Sequence, residues 1–468
     1  MPSPSPSTPH RSLWLREIPD VFAPAAPALE GEARADVAVI GGGYVGLWTA
    51  LFLKERDPGC DVVVLEADIC GGGASGRNGG FVLSWWAKLA TLIHLFGRDD
   101  ALGLARASET VITEIRDFCL ASQIDAHFCQ AGWLWTATCP AHVGAWEKPV
   151  ALCERLGIPA FERLAPTDVA RRAGSPVHCA GVLERCGATV QPAALARGLR
   201  RVALERGVRI FEETPVMRLD RARPAVLHTP RGRLRAERVV IASNAWAGQL
   251  RELRGALAVV SSDIVATASI PAELAAAGWT GGEAITDSQQ MIDYYRTTRD
   301  ARIVFGKGGW GISFAGRIPA SFDRNPARAR DVLADFHRVY PALRTVPIET
   351  DWSGPIDRTA TGLPLLGRLG SCENIFYGIG WSGNGVGPSV IGGKILASLA
   401  LGVKDDWSQC PLVDQKFKKF PPEPFFCLGA HLVLGAVRRK ERAEASGCSP
   451  RRLDVALARL APAGLEDH

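Results

Sequence analysis

Residues 37–40, Val-Ala-Val-Ile, form an unbroken apolar run between Asp36 and three glycines, the pattern of a strand buried on both faces of a parallel sheet. A helix is predicted over 47–55, where Asp57, Pro58 and Gly59 break it, and a second apolar run, 62–65, closes on Glu66. The alternation returns later. Leu195, Leu199 and Leu204 recur at helical spacing over 193–205, and 208–211 reads as the strand that follows. A strand at 239–242 ends in the polar turn Ser243–Asn244, and a strand at 375–378 leads through glycines into a helix from about residue 389. Strands alternating with helices predict an α/β fold.

Two intervening stretches, 83–188 and 256–350, are patterned differently. "GWLWTATC" puts Trp133 and Trp135 on one face of a strand, and "MIDYYRTTRDARIVFGKGG" reads as a hairpin turning near Arg299, Asp300 and Ala301. The C-terminal region predicts a helix over 428–445 with a basic run at Arg438, Arg439, Lys440 and Arg442, then a helix capped by Ser449 with Pro450 at its first position. Residues 1–13, rich in Pro and Ser, are predicted to be disordered. The expected architecture is therefore a Rossmann-like nucleotide-binding domain with a parallel sheet, assembled from 35–82, 189–255 and 351–405. A mixed-sheet substrate domain, 83–188 and 256–350, is interleaved with it, and a helical C-terminal extension, 406–468, follows.

Composition narrows the function. At 468 residues and 47% hydrophobic the chain can bury a large core, and 54 basic against 49 acidic residues, net +5, leave no strong field for nucleic acid. Twelve cysteines without a CxxC pair, and an N-terminus without a signal-peptide core, point to a reduced cytoplasm. No apolar run reaches the roughly 20 residues of a transmembrane segment, so "FFCLGAHLVLGAV" is read as a docked helix. Nine scattered histidines without HExxH predict no metal site.

The chemistry starts at the first turn, where Gly41, Gly43 and Gly46 form GxGxxG around Tyr44 and Val45. The first glycine allows the bend, the second lets backbone approach a pyrophosphate, and the third lets helix pack on strand. The phosphates then meet free N–H groups at the helix N-terminus. Glu66, about 20 residues on and followed by Ala67, suits a ribose 2′-OH and repels a 2′-phosphate, so the pocket favours FAD or NAD over NADP.

A second glycine-rich segment, "CGGGASGRNGGFV", has no purpose in a nicotinamide-only domain and decides for flavin. With it, "GGGYVGLWTALFL", "VVVLEA", "GASGRNGG", "NAWAGQL", "YYRTT" and "GIGWSGNGVGPSVIGGKILASLALG" resemble the D-amino-acid oxidase superfamily of FAD-dependent oxidoreductases over about 12–465. Within it the chain is most similar to the gamma-glutamylputrescine oxidoreductase-like branch. The resemblance implies that Ala74, Ser75, Arg77, Asn78, Gly79 and Gly80 run past the pyrophosphate and ring, with Arg77 on phosphate, and that Val216 meets the adenine. It further implies that Ser243, Asn244 and Trp246 border FAD, and that Gly383, Asn384, Gly385 and Val386 face the flavin ring ahead of a helix N-terminus. The stretch "GPIDRTATGLPLLG", where some relatives tether flavin through cysteine, has none, so FAD is expected to be non-covalent.

On the substrate side the resemblance points to Tyr294, Arg296 and Trp381 above the flavin, Arg296 as a clamp for an acidic group. Val304 or Phe305 stands where some relatives carry an oxygen-activating lysine, with Lys307 just beyond. The expected reaction is oxidation of the C–N bond of a primary or secondary amine by hydride transfer to flavin N5. An imine then hydrolyses, and O2 or another acceptor takes the electrons. A small-molecule amine is the expected partner, with an amino acid, a gamma-glutamyl amine and an aminophosphonate as open choices. The oligomeric state stays open, and the competing reading is a non-catalytic FAD-binding subunit.

Overall fold

The computed structural model describes residues 10–18 and 26–461. Gly31–Ile40 lies at the centre of the first sheet, parallel to Val62–Leu65 on one side and Gly232–Ile241 on the other. Arg209–Phe211 extends the sheet past Val62–Leu65, and Ile375–Ile379 runs parallel to Gly232–Ile241 with the antiparallel edge Leu365–Arg368 beyond it. Successive side chains of a strand point to opposite faces, so these strands feed two cores. Val37, Val39, Val62 and Val64 join the core under the helices, whereas Ala38, Ile40, Val63 and Leu65 join the core on the other face. The parallel arrangement expected from the alternating pattern is present.

Helix Tyr44–Arg56 begins three residues earlier than the apolar spacing predicted, directly on the glycine turn with Gly43 as its N-cap. Pro388–Leu401 packs across it so closely that a Cβ on Gly393 would lie 2.6 Å from the Trp48 Cβ. Pro192–Glu205 starts with the Gln191 side chain accepting the Ala194 N–H at 2.7 Å and proline at its first position.

The second sheet is mixed, in the order Ile348–Arg358, Ala258–Thr267, Ile303–Ile312, Asp293–Thr297, Ala284–Thr286, Trp133–Ala137, Ala180–Glu184 and Glu162–Arg163. All neighbours are antiparallel except Ala284–Thr286 with Trp133–Ala137. The expected hairpin is there, Thr297 opposite Ile303, with Ala301 at φ +60° in its turn. One boundary moves. Residues 351–358, assigned from sequence to the cofactor domain, pair with Ala258–Thr267 along their length and belong to this second sheet.

Residues 1–9 of the segment expected to be disordered lie outside the described residues, but its end is ordered. Ser12, fully buried, caps helix Leu13–Arg16 and donates to the Gly76 carbonyl at 2.6 Å, and Trp14 Nε1 donates to Asn78 O at 2.8 Å. At the other end Phe425–Ala445 is one helix, and Arg452–Ala458 starts two residues after the predicted Pro450, with Arg451 as N-cap. No helix among the described residues is long and apolar enough to cross a membrane.

Candidate functional site

Where the two sheets meet, the protein encloses a cavity of about 430 Å3. The end at the glycine turn is built from backbone. Gly41 sits at φ +109°, and a Cβ there would come within 2.6 Å of the Ala242 carbonyl, so only glycine lets the first and third parallel segments touch. A Cβ on Gly43 would meet Ser75 Oγ at 2.9 Å, and one on Gly46 would collide with the Gly41 carbonyl oxygen. Gly41, Gly43, Tyr44 and Val45 line the cavity; Gly46 lies behind it and fixes the helix against the strand, the packing part assigned to it.

Glu66 lines the same end with Ala67. Its carboxylate accepts the N–H groups of Gly42 at 2.6 Å and Asp68 at 2.9 Å, while burial lifts it to about 7 against those two hydrogen bonds. Ala74, Ser75, Asn78 and Gly79 continue the wall, and Val216, Ser243, Asn244 and Trp246 close it from the carboxyl ends of the neighbouring strands. The loop 381–386 supplies the far end, with Trp381, Gly383, Asn384, Gly385 and Val386 on the lining. Asp357 holds that loop by accepting Gly380 N–H at 2.6 Å and Trp381 N–H at 3.0 Å, and burial pushes its carboxyl up to about 7.

These residues fit an FAD. The cradle of glycines would be filled by any Cβ, an acid stands at the ribose distance, and Ser243 Oγ and Asn384 Oδ1 are buried on the lining without a hydrogen-bond partner among the described residues. No cysteine belongs to the described lining.

Four sequence assignments change. Arg296 does not reach the cavity: its guanidinium donates to Val190 O at 2.7 Å and Thr297 O at 3.1 Å beneath the Trp14 ring, and burial lowers it to about 10. It cannot clamp a ligand from there. Lys307 points to the opposite face of its strand, because Gly306 and Gly308 on either side face the Tyr294 side. Its ammonium meets Asp293 at 2.9 Å and Asp335 at 3.2 Å in a buried cluster. Gly80 is also off the lining; it pairs with Val190, whose N–H donates to its carbonyl at 2.8 Å. Arg77 does line the cavity, but its guanidinium is committed to Gly72 O at 2.9 Å, Ser353 O at 3.1 Å and Asp323 at 3.3 Å, which ties the two sheets together and takes it away from phosphate.

Tyr294 remains. Its ring covers Gly306, its hydroxyl is 2.6 Å from Ser262 Oγ, and both residues line the cavity. Trp133 and Trp135 stack on each other at 5.3 Å in a separate core and stay off the lining. Sequence reasoning missed Arg358, which lines the cavity at the end of Ile348–Arg358 and which burial pushes down to about 10. It also missed Gln290, Ile292, Asp323 and Asp357. The hairpin could have corrected Lys307: a turn at 299–301 sets Asp293 opposite Lys307 and Tyr294 opposite Gly306, so lysine and tyrosine fall on different faces.

The pattern of the FAD dependent oxidoreductases matches residues 36–399. Gamma-glutamylputrescine oxidoreductase of Escherichia coli (strain K12) is 30% identical over 84% of this chain and 90% of its own length. Glycine oxidase of Geobacillus kaustophilus (strain HTA426) is 26% identical over 78% of this chain and 93% of its own. The crystal structure of glycine oxidase from Geobacillus kaustophilus superposes with a TM-score of 0.68 at 21% identity, covering 82% of this chain and all of that one. That of L-proline dehydrogenase from P.horikoshii gives 0.64 at 20%, covering 82% and 96%. With its glycine turn, Glu66 and its 381–386 loop on one cavity, the chain belongs to the family of FAD-dependent oxidoreductases.

Proposed function

We propose that this enzyme oxidises the C–N bond of a primary or secondary amine carrying an acidic group, of amino-acid, gamma-glutamyl-amine or aminophosphonate type. Support comes from the amine and amino-acid oxidoreductases among its relatives and from one observation above the rest. A single cavity carries the dinucleotide turn at one end and, over the second sheet, Tyr294, Trp381 and Arg358. When bound, FAD accepts the hydride from the carbon beside the amine nitrogen.

The residues do the remainder. Tyr294 and Trp381 give an apolar, water-poor wall against which the reacting carbon is held, and Asp357 fixes the Trp381 loop through two backbone N–H groups. The lining contains two cations among the described residues, Arg77 and Arg358. The acidic end of the substrate is assigned to Arg358, which lines the cavity at the end of the second-sheet strand Ile348–Arg358 and whose planar fork suits a carboxylate or phosphonate. Loss of the C–H hydride from the neutral amine leaves an iminium ion, which sheds its N–H proton to solvent as an imine, and water hydrolyses this to a carbonyl compound and an amine or ammonia. The two electrons pass to O2, giving H2O2, or to another acceptor. FAD is held without a covalent bond, and the reduced cytoplasm suits the chain.

Anaerobic mixing of the yellow holoenzyme with an amine panel tests this reading: bleaching by acid-bearing amines is expected, and a flavin that no amine bleaches overturns it. Arg358→Ala is expected to raise KM for acid-bearing amines at least about tenfold while leaving neutral amines unaffected. Equal effects on both classes contradict the assignment to Arg358.

A further inference from the structure

The matched family pattern ends at residue 399, yet the helices that follow reach the substrate-side wall. Between strands Ala284–Thr286 and Asp293–Thr297 runs a short connection whose Gln290 and Ile292 line the cavity. Two hydrogen bonds from the C-terminal extension grip it. The Glu441 carboxylate, 5% exposed, accepts the Met291 N–H at 2.8 Å, and the Ala458 carbonyl accepts the Gln290 side-chain N–H at 3.1 Å. The second bond fixes the amide's orientation, because a carbonyl oxygen can take only the NH2 end of the glutamine. Between these bonds Met291 is packed against Val437 and Ala458 in a small core of its own.

The extension is itself anchored to the second domain. Arg438 meets Asp331 at 2.7 Å, Glu444 meets His142 at 3.2 Å, and Arg439 ties the two extension helices together through Asp454 at 2.7 Å. From beneath, Asp287 Oδ1 accepts the N–H groups of Gln289 at 3.2 Å and Asp293 at 3.0 Å. A backbone connection held on both sides cannot shift without breaking one of these hydrogen bonds.

We infer that the C-terminal extension is a positioning element of the substrate site, Glu441 and Ala458 holding the 287–292 connection so that Gln290 and Ile292 present a fixed wall to the amine. Glu441 acts through Met291 and does not touch the substrate; it sets how tightly and which amines bind. This rests on the proposed amine oxidation only for its kinetic readout.

The test uses full-length holoenzyme as wild type, Glu441→Ala and Glu441→Gln. Glu441→Ala is expected to raise KM for the accepted amines about five- to tenfold with kcat held within about twofold. Hydrogen exchange across 287–293, measured without substrate, is expected to quicken about tenfold. Glu441→Gln is expected to restore both, since its amide oxygen still accepts the Met291 N–H. If Glu441→Ala fails to fold, Arg439→Ala, which parts the two extension helices at Asp454 and leaves every cavity-lining residue in place, is expected to raise KM and to quicken exchange across 287–293. An unchanged KM, or unchanged exchange at 287–293, overturns the inference. A wild type that no amine bleaches would instead count against the amine reading, and the exchange measurement would still decide the clamp.

Discussion

Around the cavity, Glu66 at the glycine-turn end and Asp357 at the far end each sit among backbone N–H groups, at Gly42 and Asp68 for the first and at Gly380 and Trp381 for the second. Behind the substrate sheet, the acids Asp287, Asp293, Asp335 and Glu441 sit instead around two side-chain cations, Lys307 and Arg338. Burial pushes Asp293 and Glu441 up, while Asp293, Glu441 and Asp335 hold Lys307 protonated against its own burial. The first wall is a matter of backbone shape and fails when atoms are added. The second is a matter of charge balance and fails when a partner is removed.

The largest expected effect breaks the second wall. Lys307→Met leaves Asp293 buried beside Asp335 without its ammonium, and a urea melt is expected to show a loss of about 3–5 kcal/mol. If stability changes by less than about 1 kcal/mol, the cluster is not held by charge. Next comes the first wall: Gly46→Ala drives a methyl into the Gly41 carbonyl and is expected to weaken FAD binding about a hundredfold or more, leaving a colourless protein after gel filtration. A yellow, fully loaded variant would mean that the turn has slack.

A third effect sharpens the contrast through pH. Glu184, buried and hydrogen-bonded by Ser84, is lifted by burial from its ordinary 4.5 to about 7. Between those values the folded protein keeps a proton that the unfolded chain has lost, so stability falls as pH rises through that window, by at most about 1.4 kcal/mol per pH unit for this one group. Glu184→Gln is expected to flatten the slope in thermal melts between pH 5 and 7.5, and an unaltered slope would place the proton elsewhere. The smallest effect is Tyr294→Phe, which removes the hydroxyl bonded to Ser262 at 2.6 Å; about 1 kcal/mol of stability and a few-fold drop in turnover are expected, with FAD binding unchanged.

The same contrast explains what could be read from the chain. The placing of Gly41, Gly43, Gly46 and Glu66 around one turn is legible because they stand at fixed spacing along one strand–turn–helix. Arg358 and Glu441 were not, because they meet the cavity wall through pairings between positions far apart in sequence, such as Ala258 with Arg358 or Met291 with Glu441. Arg296 was misread although it shares a strand face with Tyr294. That face runs on past the edge of the cavity, where Gly80, Val190 and Trp14 cover it. Strand alternation gives the face of a residue but not where along the face a cavity ends.

The most direct measurement is a crystal structure of the FAD-loaded enzyme with an unreactive, acid-bearing amine analogue. The account predicts the pyrophosphate on the 41–44 turn, the ring between Tyr294 and the 381–386 loop, and the acid of the analogue on Arg358. An acid seated on Arg296, or FAD bound anywhere but this cavity, would contradict it.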